Sequence, residues 1–203
     1  VHIWKVEDGS PLLALSDAHA DTVNGVEISP DGTRVAAASA DKFVRVFDIA
    51  SGDLLVQCEG HTNHVLAVSW RSNGRVLASS SADATIRIWN ADTGERIRNI
   101  GGYNKQITTI RFVGQTSTTI ACSGDRIVRM NNSDNGGATR NFAGAVDYMY
   151  AVDGSPNGQV VVAAGHDGVF RIWNGANGQS MHVIEAPQPV EEPADEEAAT
   201  AAN

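Results

Sequence analysis

The sequence predicts an all-β fold built from consecutive four-stranded antiparallel meanders, and three observations predict it. Asp41, Asp83, Asp125 and Asp167 stand 42 residues apart, each opening a similar phrase (DKFVRVFD, DATIRIWN, DRIVRMNN, DGVFRIWN). Arg45, Arg87, Arg129 and Arg171 keep the same step, as do turn segments beginning at Pro30, Ser72, Gly114 and Pro156. Within each unit, short alternating apolar and polar runs are bounded by turn residues, the pattern of half-buried strands. Helical periodicity never runs long enough to supply the crossovers that parallel strands need.

The elements follow in order. Residues 1–18 read as the third and fourth strands of a unit, since VHIW aligns with VRVF and IRIW, and PLLAL with a fourth strand. The chain is therefore expected to be the C-terminal portion of a longer one. Complete units then span 19–60, 61–102, 103–144 and 145–184. The second shows the pattern best: strands over 64–70, 75–80, 85–90 and 95–100, with turns at 72–74, 82–84 and 92–94. Asp31-Gly32, Asn73-Gly74 and Asn157-Gly158 supply the positive φ that tight hairpins require. Residues 185–203 are rich in Pro, Ala and Glu and carry six carboxylates with no Lys or Arg. Such a segment cannot bury enough surface to offset its ordering entropy and reads as a disordered acidic tail.

Composition narrows the function. The 203 residues carry a formal charge of −9, which argues against binding nucleic acid through phosphate neutralisation. No apolar run approaches the roughly 20 residues of a membrane helix, so no membrane insertion is expected. Two cysteines, Cys58 and Cys122, build neither a disulfide framework nor a zinc cage and read as buried free thiols. The six histidines repeat no metal-ligand spacing, and no metal or cofactor is expected. No GxSxG, P-loop, HExxH or CxxCH motif is present.

A period near 40, the Gly60-His61 pair, the turn residue Asp83 and the Trp89-Asn90 step together resemble the WD-repeat family. The resemblance implies a β-propeller of four-stranded antiparallel blades, here four complete blades plus half of a preceding one, forming a partial ring. It also implies a hydrogen-bonded chain within a blade, carried by His61, Asp83, Trp89 and either Ser79 or Ser81, which share a strand face. Related positions are His19, Asp41, Asp125, Asp167 and Trp173. Departures are plain: Phe47-Asp48 replaces Trp-Asp in the first unit, Tyr103 and Asn131 occupy the His and Trp columns of the third, and Ala145 the His column of the fourth. The polar tether is expected to be weaker or absent in the last two units. Ser, His and Asp on these columns read as blade staples, not as a hydrolase triad.

With no chemistry visible, the resemblance implies a non-catalytic scaffold that docks protein partners, as propellers of this family do, through the face carrying the fourth-to-first loops and second-to-third turns. Tyr148, Tyr150, His166, His64, Gln106, Thr22 and Asn24 are the candidate contact residues, the tyrosines foremost because aromatics concentrate interface energy. The remaining blades of the parent chain are the other expected partner. ITTIRFVG, RMNNSDNGGATRNF and the run from Asp147 to Gln179 resemble bacterial, planctomycete-type WD-repeat proteins. Some of these carry an upstream c-type haem domain, which implies an alternative role as an accessory propeller of a redox protein or enzyme. Cytoplasmic residence is the default expectation, and export the expectation if such a domain precedes the chain.

Overall fold

A computed structural model describes residues 1–15 and 18–185. The acidic tail, apart from Glu185, lies outside the described residues. Strands β1 (His2–Trp4) and β2 (Pro11–Ala14) form a two-stranded sheet. Four sheets of four antiparallel strands follow, each in simple meander order. The first holds β3 (Val23–Ile28), β4 (Arg34–Ser39), β5 (Val44–Asp48) and β6 (Leu54–Cys58). The second holds β7 (Val65–Trp70), β8 (Val76–Ser81), β9 (Ile86–Asn90) and β10 (Arg96–Ile100). The third holds β11 (Ile107–Phe112), β12 (Thr118–Ser123), β13 (Val128–Asn132) and β14 (Ala138–Phe142). The fourth holds β15 (Met149–Gly154), β16 (Val160–Gly165), β17 (Phe170–Asn174) and β18 (Ser180–Ile184).

The sheets pack face to face in series, their first strands touching in the order β3, β7, β11, β15 without closing a ring. This is a β-propeller with four complete blades and half of another. Between the first two sheets, Val44, Val46, Val56 and Cys58 meet Val65, Trp70, Leu77 and Trp89. The third and fourth meet through Ile120, Val128, Met130 and Phe142 against Met149, Val161 and Trp173. The second strands are dominated by small residues (RVAAAS, VLASSS) because both their faces are sandwiched.

One repeated irregularity positions the functional face. The pairing of first and second strands skips a residue between Val23 and Gly25, Val65 and Ala67, Ile107 and Thr109, and Met149 and Ala151. Asn24, Leu66, Thr108 and Tyr150 are thus bulge residues, whose side chains a bulge re-aims. Sequence alternation puts Tyr148 and Tyr150 on one strand face. Tyr148 directly precedes β15 and Tyr150 sits in its bulge, and their rings meet on one side, centroids 5.0 Å apart, with Met149 between them buried.

Candidate functional site: the blade tethers and the loop face

In the second sheet a directional chain crosses the blade. Trp89 Nε1–H donates to Ser79 Oγ at 2.8 Å, and Ser79 Oγ lies 2.8 Å from His61 Nε2. His61 Nδ1 lies 2.8 Å from Asp83 Oδ2. Every donor is matched if His61 is neutral with its proton on Nδ1, so that Ser79 Oγ–H donates to Nε2. Burial lowers the His61 pKa despite the facing carboxylate. Burial alone would raise Asp83, but hydrogen bonds from Thr85 and His61 hold it at about 2. Ser81 does different work, donating to His64 O at 2.8 Å and accepting from Asp83 N–H at 3.0 Å.

The other sheets alter this chain column by column. In the first, His19 Nδ1 faces Asp41 at 3.1 Å, while Ala37 and Phe47 supply no partner beyond it, so the buried His19 Nε2 is left without one. Arg45 compensates at the other end with a 2.6 Å bond to Asp41. In the third, Asn131 Nδ2–H donates to Tyr103 Oη at 2.8 Å, both residues buried. In the fourth, Trp173 Nε1–H donates to Ala143 O at 3.0 Å, and Arg171 Nε to Gly144 O at 3.1 Å. A tether is thus present in both of the last two units, in each case shorter than the Trp89–Ser79–His61–Asp83 chain of the second. Tyr103 and Asn131 are complementary in size and polarity, and a backbone carbonyl serves where Ala145 offers nothing.

All four turn aspartates accept a backbone N–H two residues on: Phe43, Thr85, Ile127 and Val169. The residue after each takes a left-handed φ: 76° at Lys42, 62° at Ala84, 72° at Arg126 and 69° at Gly168. A second capping column, Asp48, Asn90, Asn132 and Asn174, accepts the two N–H groups of the third-to-fourth turn. Sequence reasoning missed it, although the 42-residue step already exposes it as the final letter of each quoted phrase.

The loop face gathers only some of the expected contact residues. Gln106 Nε2–H donates to Tyr148 Oη across the third and fourth sheets. Tyr148 and Tyr150 have ring centroids 5.0 Å apart, and Tyr150 Oη lies 3.3 Å from His166 Nδ1. Tyr148 lies over Gly124, where a Cβ would collide with its ring. Asn24 belongs elsewhere: its amide donates to Val65 O at 2.9 Å, and Thr108 donates likewise to Met149 O at 2.8 Å. These bulge residues stitch one sheet to the next, and Tyr150 shares their column. Thr22 and His64 are exposed on the first and second sheets, away from the tyrosines. Among the described residues no cluster of His, Cys, Asp or Glu could hold a metal ion, and no helix is long and apolar enough to cross a membrane. Cys58 and Cys122 are free and buried, their thiols pushed up by burial to about 12 and about 11.

Comparison with known proteins places this geometry. The sequence profile of the WD domain, G-beta repeat, matches residues 9–48, 52–90 and 138–174. Each match starts on an outer strand and ends on the third strand of the next sheet, so one sequence repeat links two sheets. The WD repeat-containing protein SL1-17 of Schistosoma mansoni is 43% identical over 56 residues, 28% of this chain and 18% of that protein. This relative gives the planctomycete-type resemblance no support. Two solved structures, of U3-55K and of the RRP9 WD40 repeats, superpose with TM-scores of 0.78 and 0.77 at 24% identity. They cover 84% and 82% of this chain, which spans about half of theirs, 54% and 52%.

Proposed function

The chain belongs to the WD40-repeat family, and from that premise we propose that it is a non-catalytic platform docking protein partners on its loop face. The observation that carries this reading is the cluster of half-buried Tyr148 with exposed Tyr150 and His166, braced by Gln106 and seated over Gly124. Aromatic groups that already have a fixed arrangement lose little entropy on binding. Ser79, among the described residues the only serine bonded to a histidine ring, is buried with its hydroxyl committed to His61 and Trp89, which favours stapling over catalysis. Tyr148→Ala/Tyr150→Ala should abolish capture of the partners retained by the unsubstituted protein while shifting the melting temperature by less than about 2 °C. A large fall in melting temperature would assign the pair to packing instead.

Further sheets of the same kind are the second proposed partner. Phe170 and Ile184 are exposed on the fourth sheet, where the equivalent Val44, Ile86, Val128 and Cys58, Ile100, Phe142 are buried by the next one. At the other end a cleft of ≈ 370 Å³ lies between Val1–Trp4 and Val26, Ile28 and Val35. Chains with these faces uncovered should self-associate at micromolar concentration in sedimentation experiments. A sharp monomer would count against this.

A further inference from the structure

The arginine column of the third strands is used in two ways. Arg45, Arg129 and Arg171 each pair with the turn aspartate of their own sheet, at 2.6, 2.8 and 2.6 Å. Arg87 has no such pair among the described residues, although it is only 7% exposed. Its Nε and Nη1 are enclosed without a hydrogen-bond partner, and Nη2 is the nitrogen that faces out. The cause lies two residues upstream. Asp83 accepts from Thr85 N–H and Oγ1–H at one carboxylate oxygen, and from Thr62 N–H and His61 at the other. An ionised carboxylate offers about four such positions, so none remains for Arg87. The equivalents of Thr85 are Phe43, Ile127 and Val169, which have no hydroxyl, and their aspartates keep a place for the arginine.

A second cation stands beside the first. Arg87 and Trp89 lie two apart on β9 and share a face, and Arg96 stands opposite Trp89 on β10. Arg96 is exposed and belongs to no ion pair among the described residues. Burial lowers the Arg87 pKa; Asp83 opposes that shift and repulsion from Arg96 adds to it. The column of Arg96 holds Leu54, Ala138 and Ser180 in the other sheets, so only the second sheet places two cations here. The flanking carboxylates have other partners, Glu59 accepting from Gln57 and Glu95 from Thr93. At the same place on the first sheet a cleft of ≈ 410 Å³ is lined by Ala18, His19, Ala20, Arg45, Phe47 and Leu54. Their counterparts one repeat on are Gly60, His61, Thr62, Arg87, Trp89 and Arg96. Gly60 admits the guanidinium, since a Cβ there would collide with Nη1.

We propose that Arg87 and Arg96 form a binding site for a phosphate monoester, in the crevice beside Gly60 where β6 of the first sheet meets β9 and β10 of the second. Two guanidiniums match a dianion in charge, and each presents the planar donor fork that phosphate oxygens accept. Binding gives Arg87 the anionic partner that Asp83, saturated by Thr85, withholds. The site is separate from the Tyr148 cluster and does not rest on it. Phenyl phosphate and a phosphoserine tripeptide are titrated in turn into the full chain at low salt, with the Arg87 Nε–H resonance followed by NMR. Both should shift it to saturation, at least about tenfold more tightly than acetate, which carries a single charge. Tighter binding of the peptide would assign the ester to a partner's side chain, and equal or weaker binding to a small molecule. Arg96→Gln should weaken both esters several-fold. Thr85→Val keeps both arginines but frees an Asp83 oxygen, so Arg87 should pair with Asp83 and ester affinity should fall at least about tenfold with the melting temperature unchanged. An Arg87 resonance that moves with neither ester, acetate bound as tightly as the esters, or undiminished ester binding in Arg96→Gln or Thr85→Val would overturn the proposal. Tyr148→Ala/Tyr150→Ala should leave ester binding unchanged, so the two sites stand or fail separately.

Discussion

In the second sheet His61, Ser79 and Trp89 tie the loop before β7 to the strands behind it. In the third, Tyr103 and Asn131 span the same columns, with Ala121 where a serine would stand. The two share their strand register, their bulge and their turn aspartate, so none of those depends on which tether is used. What both satisfy is the requirement that each buried polar group find a partner. The family profile matches the second unit and passes over the core of the third, residues 91–137. The first sheet shows the intermediate case, a histidine with one end bonded and the other bare.

Removing one member from each sheet separates the two solutions, and Ser79→Ala should have the largest effect. It leaves both His61 Nε2 and Trp89 Nε1 buried without partners, at about 1–3 kcal/mol each, so urea unfolding should show a loss of about 3 kcal/mol. Tyr103→Phe orphans only the Asn131 amide and should cost about 1–2 kcal/mol in the same assay. If the two losses were equal, the longer chain would add nothing to the shorter pair.

Acid sharpens the contrast. Burial holds His61 and His19 below the usual imidazole range, so the unfolded chain takes up those protons first. Stability is therefore present above about pH 6.5 and falls as the pH drops below it. Asp41 and Asp83, both at about 2, add stability that is lost as the pH falls from about 4 through 2. Burial raises the Tyr103 phenol, so the third sheet's pair contributes nothing to the first of these windows. A melting-temperature profile that stays flat from pH 7 to 5 would contradict this account of the histidines. The smallest effect should be common to both sheets. Ala84→Gly and Arg126→Gly relieve a left-handed φ and should each stabilise by a few tenths to about 1 kcal/mol, measured by the same unfolding assay.

The strand order and the number of sheets were legible in the sequence because the 42-residue step fixes turns and apolar faces together. The turn aspartates were legible for the same reason. The choice between Ser79 and Ser81 was not, since both share a face and only the approach of His61 and Trp89 separates them. Nor was the bulge at Asn24, Leu66, Thr108 and Tyr150, because an inserted residue breaks the alternation from which faces are inferred. That is why Asn24 was expected at the rim and instead joins two sheets. The Tyr103–Asn131 bond was hidden because two departures from a motif, read singly, look like two losses.

The central claim is that all four units are equivalent sheets in one register, whatever their tethers. Residue-resolved hydrogen exchange tests it at Ala36, Ala78, Ile120 and Val162, each a central-strand residue paired with Val46, Ile88, Met130 and Ile172. Strong protection at all four positions is the predicted result. Loop-like exchange at Ile120 beside a protected Ala78 would contradict it, because the third unit would then not be a sheet of the same kind.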